Sequence, residues 1–203
     1  MKALIIVDVQ NDFIPGGALA VNEGDQVVPV INQLQEKFDF IVATQDWHPL
    51  DHGSFAANHP GKKIGEFIEL NGVNQILWPV HCVQNTEGAE FHPNINSDKW
   101  KAVFQKGVNR LVDSYSGFFD NNRQGDTGLS AYLKENGVDE IFVCGLAADY
   151  CVKFTVLDGL SEGFKTHLIV DATKAVNIHP DDFEKSVEEM KAAGASIVSS
   201  VEI

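Results

Sequence analysis

The chain has 203 residues, of which 44% are hydrophobic, 9% aromatic and 22% charged. That is the profile of an ordinary globular protein of one domain, residues 1–203, and it excludes disordered, collagen-like and coiled-coil classes. Fifteen Lys and Arg against 29 Asp and Glu leave a formal net charge of −14, which repels phosphate backbones and anionic lipid headgroups, so no nucleic acid and no membrane is expected as a partner.

The N-terminal stretch MKALIIVDVQND reads as a first strand over 3–7 and not as a leader, because its short apolar run meets a carboxylate at Asp8. A helix is expected over 25–38, with Pro29 in its first turn, where a missing N–H costs nothing. A second strand follows at 40–44. The stretch 46–99 breaks the rhythm. It is rich in Pro, Gly, Asn and His and has little periodicity, as functional segments in compact domains often are. A third strand is expected at 100–106, a helix at 129–136 closed by Gly137, and a fourth strand at 140–144. Next come a helix at 149–161 with Asp149 as its N-cap, a strand at 166–170, a helix at 180–193 stopped by Gly194, and a last strand at 195–198. Alternation of this kind predicts an α/β fold: a three-layer, mostly parallel six-stranded sheet with helices on both faces. The cysteines, Cys82, Cys144 and Cys151, are few and odd in number, which points to free thiols in a reducing cytoplasm.

In open α/β sheets, sites form beyond the C-terminal strand ends. Asp8 follows the first strand, Asp46 and His48 the second, Lys106 the third, and GLAADYC, ending at Cys151, the fourth. Cys151 would sit near a helix start, where a thiolate is stabilised, or would simply pack as a small apolar side chain. Asp8 needs a partner if buried, or caps a turn. Lys106 lies on the surface or holds its neighbours in their charged forms. Asp46 and His48, two apart in an extended segment, could grip one ion, with His81 as a third ligand and open positions left for water and substrate. Loop histidines are also commonly just solvated. Phe13, Trp78, Tyr115 and Tyr150 flank these points, as core or as walls for a flat ligand. The first strand leads into DVQNDF and not into a Gly-rich turn, which excludes a dinucleotide-binding oxidoreductase.

The segments ALIIVDVQNDFIPGGALAV, ATQDWHPLDHGSFAANHPG, LWPVHCVQNTEGAEFHP, FQKGVN, DSYSGFFDN and FVCGLAADYCVKFTVLDG together resemble the nicotinamidases, a branch of the isochorismatase-like cysteine hydrolases with a Rossmann-like sheet. The resemblance runs from residue 3 to about 171. It implies an amidohydrolase that converts nicotinamide to nicotinate and ammonia through a thioester on Cys151, that also accepts pyrazinamide, and that serves NAD salvage. It assigns Asp8, Lys106 and Cys151 to a catalytic triad. It assigns Asp46, His48 and His81 to one divalent metal ion that binds the pyridine nitrogen, zinc first, with iron or manganese as alternatives, and makes His52 a candidate fourth ligand. It implies a cis peptide at Leu146–Ala147, an oxyanion hole from the N–H groups of Ala147 and Cys151, and a substrate pocket that includes Phe13, Trp78, Tyr150 and Leu146. Oligomeric state differs among relatives, so a homo-oligomer stays open. The alternatives are a metal-free hydrolase of the same superfamily acting on another small amide, carbamoyl or ureido compound, and a binding module without catalysis.

Overall fold

A computed structural model describes residues 1–203. Its strands are β1 (Lys2–Val7), β2 (Ile41–Asp46), β3 (Phe67–Leu70), β4 (Val73–Ile76), β5 (Ala102–Lys106), β6 (Glu140–Leu146), β7 (Lys165–Lys174) and β8 (Ser196–Val198), and its α-helices are α1 (Val27–Gln35), α2 (Leu129–Glu135), α3 (Lys153–Ser161) and α4 (Asp182–Ala192). Six strands form one sheet in the order β5-β2-β1-β6-β7-β8, every pair parallel. The all-apolar run of β1 is explained by its place in the middle of the sheet, covered on both faces. Leu4 and Ile6 point to the layer that packs on Val28, Ile31 and Leu34 of α1. Ala3, Ile5 and Val7 point the other way, toward Leu129 and Leu133 of α2, Val156 of α3 and Met190 of α4. The expected three layers are therefore present.

The elements differ from expectation in four places. The first helix is shorter, because residues 24–26 form a 3₁₀ turn and the helix ends at Gln35. The strand expected at 166–170 continues to Lys174, since Thr173 and Lys174 resume pairing with Gly145 and Leu146 after a bulge in β7 between Leu168 and Thr173. The stretch 46–99 holds the antiparallel hairpin β3–β4. Its turn residues Asn71 and Gly72 have φ of 49° and 81°; Asn-Gly between two short apolar strands is a hairpin signal that composition masked. Finally, the helix expected from 149 starts at Lys153, and residues 148–152 form a π-helical turn in which the Val152 N–H reaches the Ala147 carbonyl (3.0 Å). Asp149 does not cap it. Its carboxylate accepts the N–H groups of Val176 and Asn177 (both 2.9 Å) and ties down the loop after β7.

The strand order reverses between β1 and β6, which places a crevice at their C-terminal ends. Gly145 allows the two strands to meet there: its φ is 110°, and a Cβ would lie 2.1 Å from the Val7 carbonyl oxygen. Asp8 follows β1 and Cys151 follows β6 at this crevice, and Asp46 and Lys106 close the neighbouring strands β2 and β5 as register partners.

Candidate active site

Lys106 is the hub. Its side chain is fully buried, and Nζ lies 2.8 Å from Asp8 Oδ2, 2.6 Å from Asp46 Oδ1 and 3.4 Å from Cys151 Sγ. It also donates to the Ser114 carbonyl (2.9 Å). A surface role for Lys106 is thus excluded. Burial alone would strip its proton, but Asp46, Asp8 and Cys151 outweigh burial and hold it well above the usual lysine range. It remains an ammonium. Burial pushes the Asp8 carboxyl up, with Lys106 opposing, and pushes the Cys151 thiol well up, again with Lys106 opposing. Asp8 Oδ1 accepts the Thr44 hydroxyl (2.6 Å), and Oδ2 faces the Lys106 ammonium (2.8 Å). Ligand atoms of Asp8, Asp46 and Cys151 lie within 4.8 Å of one another. A thiol that rests protonated therefore sits beside a buried carboxylate with acceptor capacity to spare, and an ammonium touches both, the arrangement that activates a sulfur nucleophile.

Asp46 faces two ways. Burial works to raise its pKa, but Lys106 and then His48 win and hold it well below the carboxylate range. Its Oδ2 lies 3.3 Å from His48 Nε2 and 3.6 Å from His81 Nε2. The other ring nitrogens face carbonyls: His48 Nδ1 is 2.9 Å from Gly107 O and His81 Nδ1 is 2.8 Å from Pro79 O. A carbonyl can only accept, so each Nδ1 carries a proton, and on His48 burial is outweighed by Asp46, which raises the ring's pKa and favours a second proton at Nε2 that a bound metal would replace. Both Nε2 atoms converge on one anionic oxygen, and one carboxylate with two imidazoles, once the Nε2 positions are free of protons, is a donor set for a divalent metal with open positions. Gly107 is needed for this packing. Its φ is 65°, and a Cβ would lie 2.3 Å from His48 Cε1. We expect Gly107→Ala to displace the His48 ring and weaken the binding of a divalent ion at this donor set by ~10-fold or more, measured by competition with a chromogenic chelator.

The sequence-derived fourth ligand does not join this group. His52 Nδ1 accepts from Ser54 Oγ (2.7 Å) and Ser54 N (3.2 Å), so Nε2 carries the proton and faces the Val112 carbonyl (3.3 Å). Burial and His48 push its pKa down to about 4, which keeps the ring neutral. Its ring centroid lies 4.3 Å from that of His48, so it buttresses a neighbour while both its own nitrogens are engaged. Leu146 also departs from expectation. Its side chain is completely buried in the core on the α1 face and does not line the cleft. The Leu146–Ala147 peptide is cis.

Beside these groups opens a narrow cleft lined by Phe13, Trp78, Tyr115, Ala147, Tyr150 and Cys151, with Asp46 and His81 at its wall. Trp78 and Tyr150 meet edge to face with centroids 4.8 Å apart, and Trp78 Nε1 donates to the Tyr115 hydroxyl (3.2 Å), which Gln75 also holds (2.9 Å). The walls are thus flat and fixed, suited to a planar ring.

An isochorismatase domain matches residues 2–202. The chain belongs to the isochorismatase family. It is 51% identical over 200 residues to the nicotinamidase of Escherichia coli, covering 97% of this chain and 93% of the relative. Among solved structures, a nicotinamidase–pyrazinamidase from Acinetobacter baumanii is 46% identical with a TM-score of 0.96, covering 99% of this chain and 97% of that one. A pyrazinamidase of Pyrococcus horikoshii, solved in complex with zinc, is 42% identical with a TM-score of 0.79, covering 98% of both chains.

Several residues of this family member's site carry no signal in one sequence. Thr44 holds Asp8, Ser114 holds Lys106 through its backbone, and Asp113 is a buried carboxylate at the cleft wall. Gln10 grips the backbone of Asp46. Only the DVQND spacing, which puts Asp8, Gln10 and Asp12 two apart, hints that all three could act together.

Proposed function

We propose that this chain, acting as one domain over residues 1–203, is a nicotinamidase that deamidates nicotinamide to nicotinate through a covalent intermediate on Cys151, and that it also accepts pyrazinamide. The observation that carries this reading is the contact of Lys106 Nζ with Cys151, Asp8 and Asp46 at once, since it joins a nucleophile, a proton acceptor and the Asp46–His48–His81 donor set in one buried cluster. Two findings support it: the zinc complex of the Pyrococcus horikoshii pyrazinamidase and the activity named for the Escherichia coli relative.

The aromatic walls hold the substrate ring in the cleft. A divalent ion held by Asp46, His48 and His81, zinc in first place, with iron or manganese as alternatives, would supply a Lewis acid for the pyridine nitrogen. Asp8 takes the thiol proton, and Lys106 stabilises the carboxylate before transfer and the thiolate after it. Sulfur attacks the amide carbon. The N–H groups of Ala147 and Cys151 receive the developing oxyanion; one such donor is typically worth ~10²-fold or more in rate. Asp8 returns its proton to the departing amine, which leaves as ammonia. Asp8 then takes a proton from water, the water oxygen attacks the thioester carbon, the C–S bond breaks, and the proton passes to sulfur as nicotinate forms. The product suits a place in recovery of pyridine nucleotides, in the cytoplasm, where the three unpaired cysteines stay reduced.

Ammonia release from nicotinamide, assayed with and without a strong chelator, tests this directly. Release should stop with the chelator and return on adding zinc. Hydrolysis of a carbamoyl or ureido compound, with none of nicotinamide, would favour another hydrolase of the family.

A further inference from the structure

Alternate residues in the segment after β1 reach three different parts of the site. Asp8 touches Lys106. Gln10, wholly buried, turns its amide on Asp46: Nε2 donates to the Asp46 carbonyl (2.8 Å), and Oε1 accepts the Asp46 N–H (2.8 Å). The same Nε2 donates to the Ala89 carbonyl (2.9 Å), which anchors the amide from behind. Asp12 acts on the loop that carries His81. Its Oδ2 accepts the N–H of Cys82 (2.7 Å), and its Oδ1 accepts that of Ala18 (3.1 Å). Cys82 has φ of 45°, a conformation that L-residues adopt rarely, and it directly follows His81. Gly88 makes room for this contact, since a Cβ there would lie 2.2 Å from Asp12 Oδ2.

We infer that Gln10 and Asp12 are positioning residues that set the aim of Asp46 and His81. The inference rests on the metal site proposed above. Asp46 has one carboxylate shared between Lys106 and the two imidazoles, so a small rotation of its peptide would trade one contact for the other. Gln10 fixes the peptides on both sides of the Asp46 Cα, one through its N–H and the other through its C=O, which no single hydrogen bond could do. Asp12 holds the peptide next to His81 while Pro79 holds its ring through Nδ1. Asp8 on the same segment ties these settings to the proton acceptor, so a displacement of the segment is felt by sulfur chemistry and ligand geometry together.

The test is the zinc dissociation constant of the purified protein, by chelator competition, beside the KM and kcat for nicotinamide. In Gln10→Ala and Asp12→Ala, zinc binding should weaken by ~10- to 100-fold, KM should rise, and saturating zinc should restore most of kcat. Asp12→Asn, which keeps an acceptor for the Cys82 N–H, should retain more affinity than Asp12→Ala. If Gln10→Ala does not fold, Gln10→Glu keeps the volume but sets an acceptor against two carbonyls, and should show the same loss of zinc. Wild-type zinc affinity in the folded variants, whatever their melting temperature, would overturn the inference and leave only a structural role. A wild-type protein that binds no zinc would overturn the metal site itself, and the titration of the wild type separates the two failures.

Discussion

Cys151→Ala is expected to lower kcat for nicotinamide by ~10⁴-fold or more while leaving the ring bound. The sulfur forms and breaks the only covalent bond to substrate in the proposed scheme, so its loss cannot be shared among neighbours. Binding should survive because the groups proposed to hold the ring, Phe13, Trp78, Tyr150 and the Asp46–His48–His81 set, are separate from sulfur. The variant also keeps the contacts of Lys106 with Asp8, Asp46 and Ser114, so the cluster should stay folded. Single-turnover ammonia assays and equilibrium binding of nicotinamide check the two halves. Substantial residual hydrolysis would mean that water attacks the amide directly.

Lys106→Met should have the largest effect on stability. The ammonium is the shared counter-charge of two buried carboxylates, and removing one partner of a buried ion pair typically costs about 3–5 kcal/mol. The pH dependence has a definite sign. Lys106 is the main influence that lowers the Asp8 pKa against burial. Without it that pKa rises further above its unfolded value, and the folded variant binds more protons than the unfolded chain. The deficit should therefore be largest at neutral pH and shrink as the pH falls through the raised Asp8 pKa. Any residual activity should show its acid limb moved to higher pH, because the base must be ionised to take the thiol proton. Urea denaturation across pH and the pH profile of kcat/KM measure these effects. An acid limb that stays in place would separate Asp8 from the proton transfer.

Much of this was legible in the sequence, for reasons that differ by element. The buried parallel strands announce themselves as apolar runs, and each functional strand end carries a polar residue that such a run does not explain: Asp8, Asp46, Lys106. Their convergence follows from strand order alone. Side-chain direction is less legible. Asp149 looks like a helix cap, yet it binds a loop 27 residues on, because it lies inside the π turn of residues 148–152 and not at the start of the α-helix. His52 has the right residue type at a plausible spacing, but Ser54 and Val112 claim its two nitrogens, and neither contact is encoded in local pattern. Leu146 adjoins the cis peptide, but its side chain follows the alternation of β6 into the core. Gln10 reads as one more polar loop residue until its two bonds to Asp46 are seen.

The intermediate on sulfur is most directly tested by turnover of nicotinamide in the presence of hydroxylamine. The proposed thioester at Cys151 would partition between water and the stronger nucleophile, so nicotinohydroxamic acid should accumulate at the expense of nicotinate, with total product matched by ammonia released. Nicotinate as the sole product at every hydroxylamine concentration, with ammonia still released, would contradict an acylated Cys151.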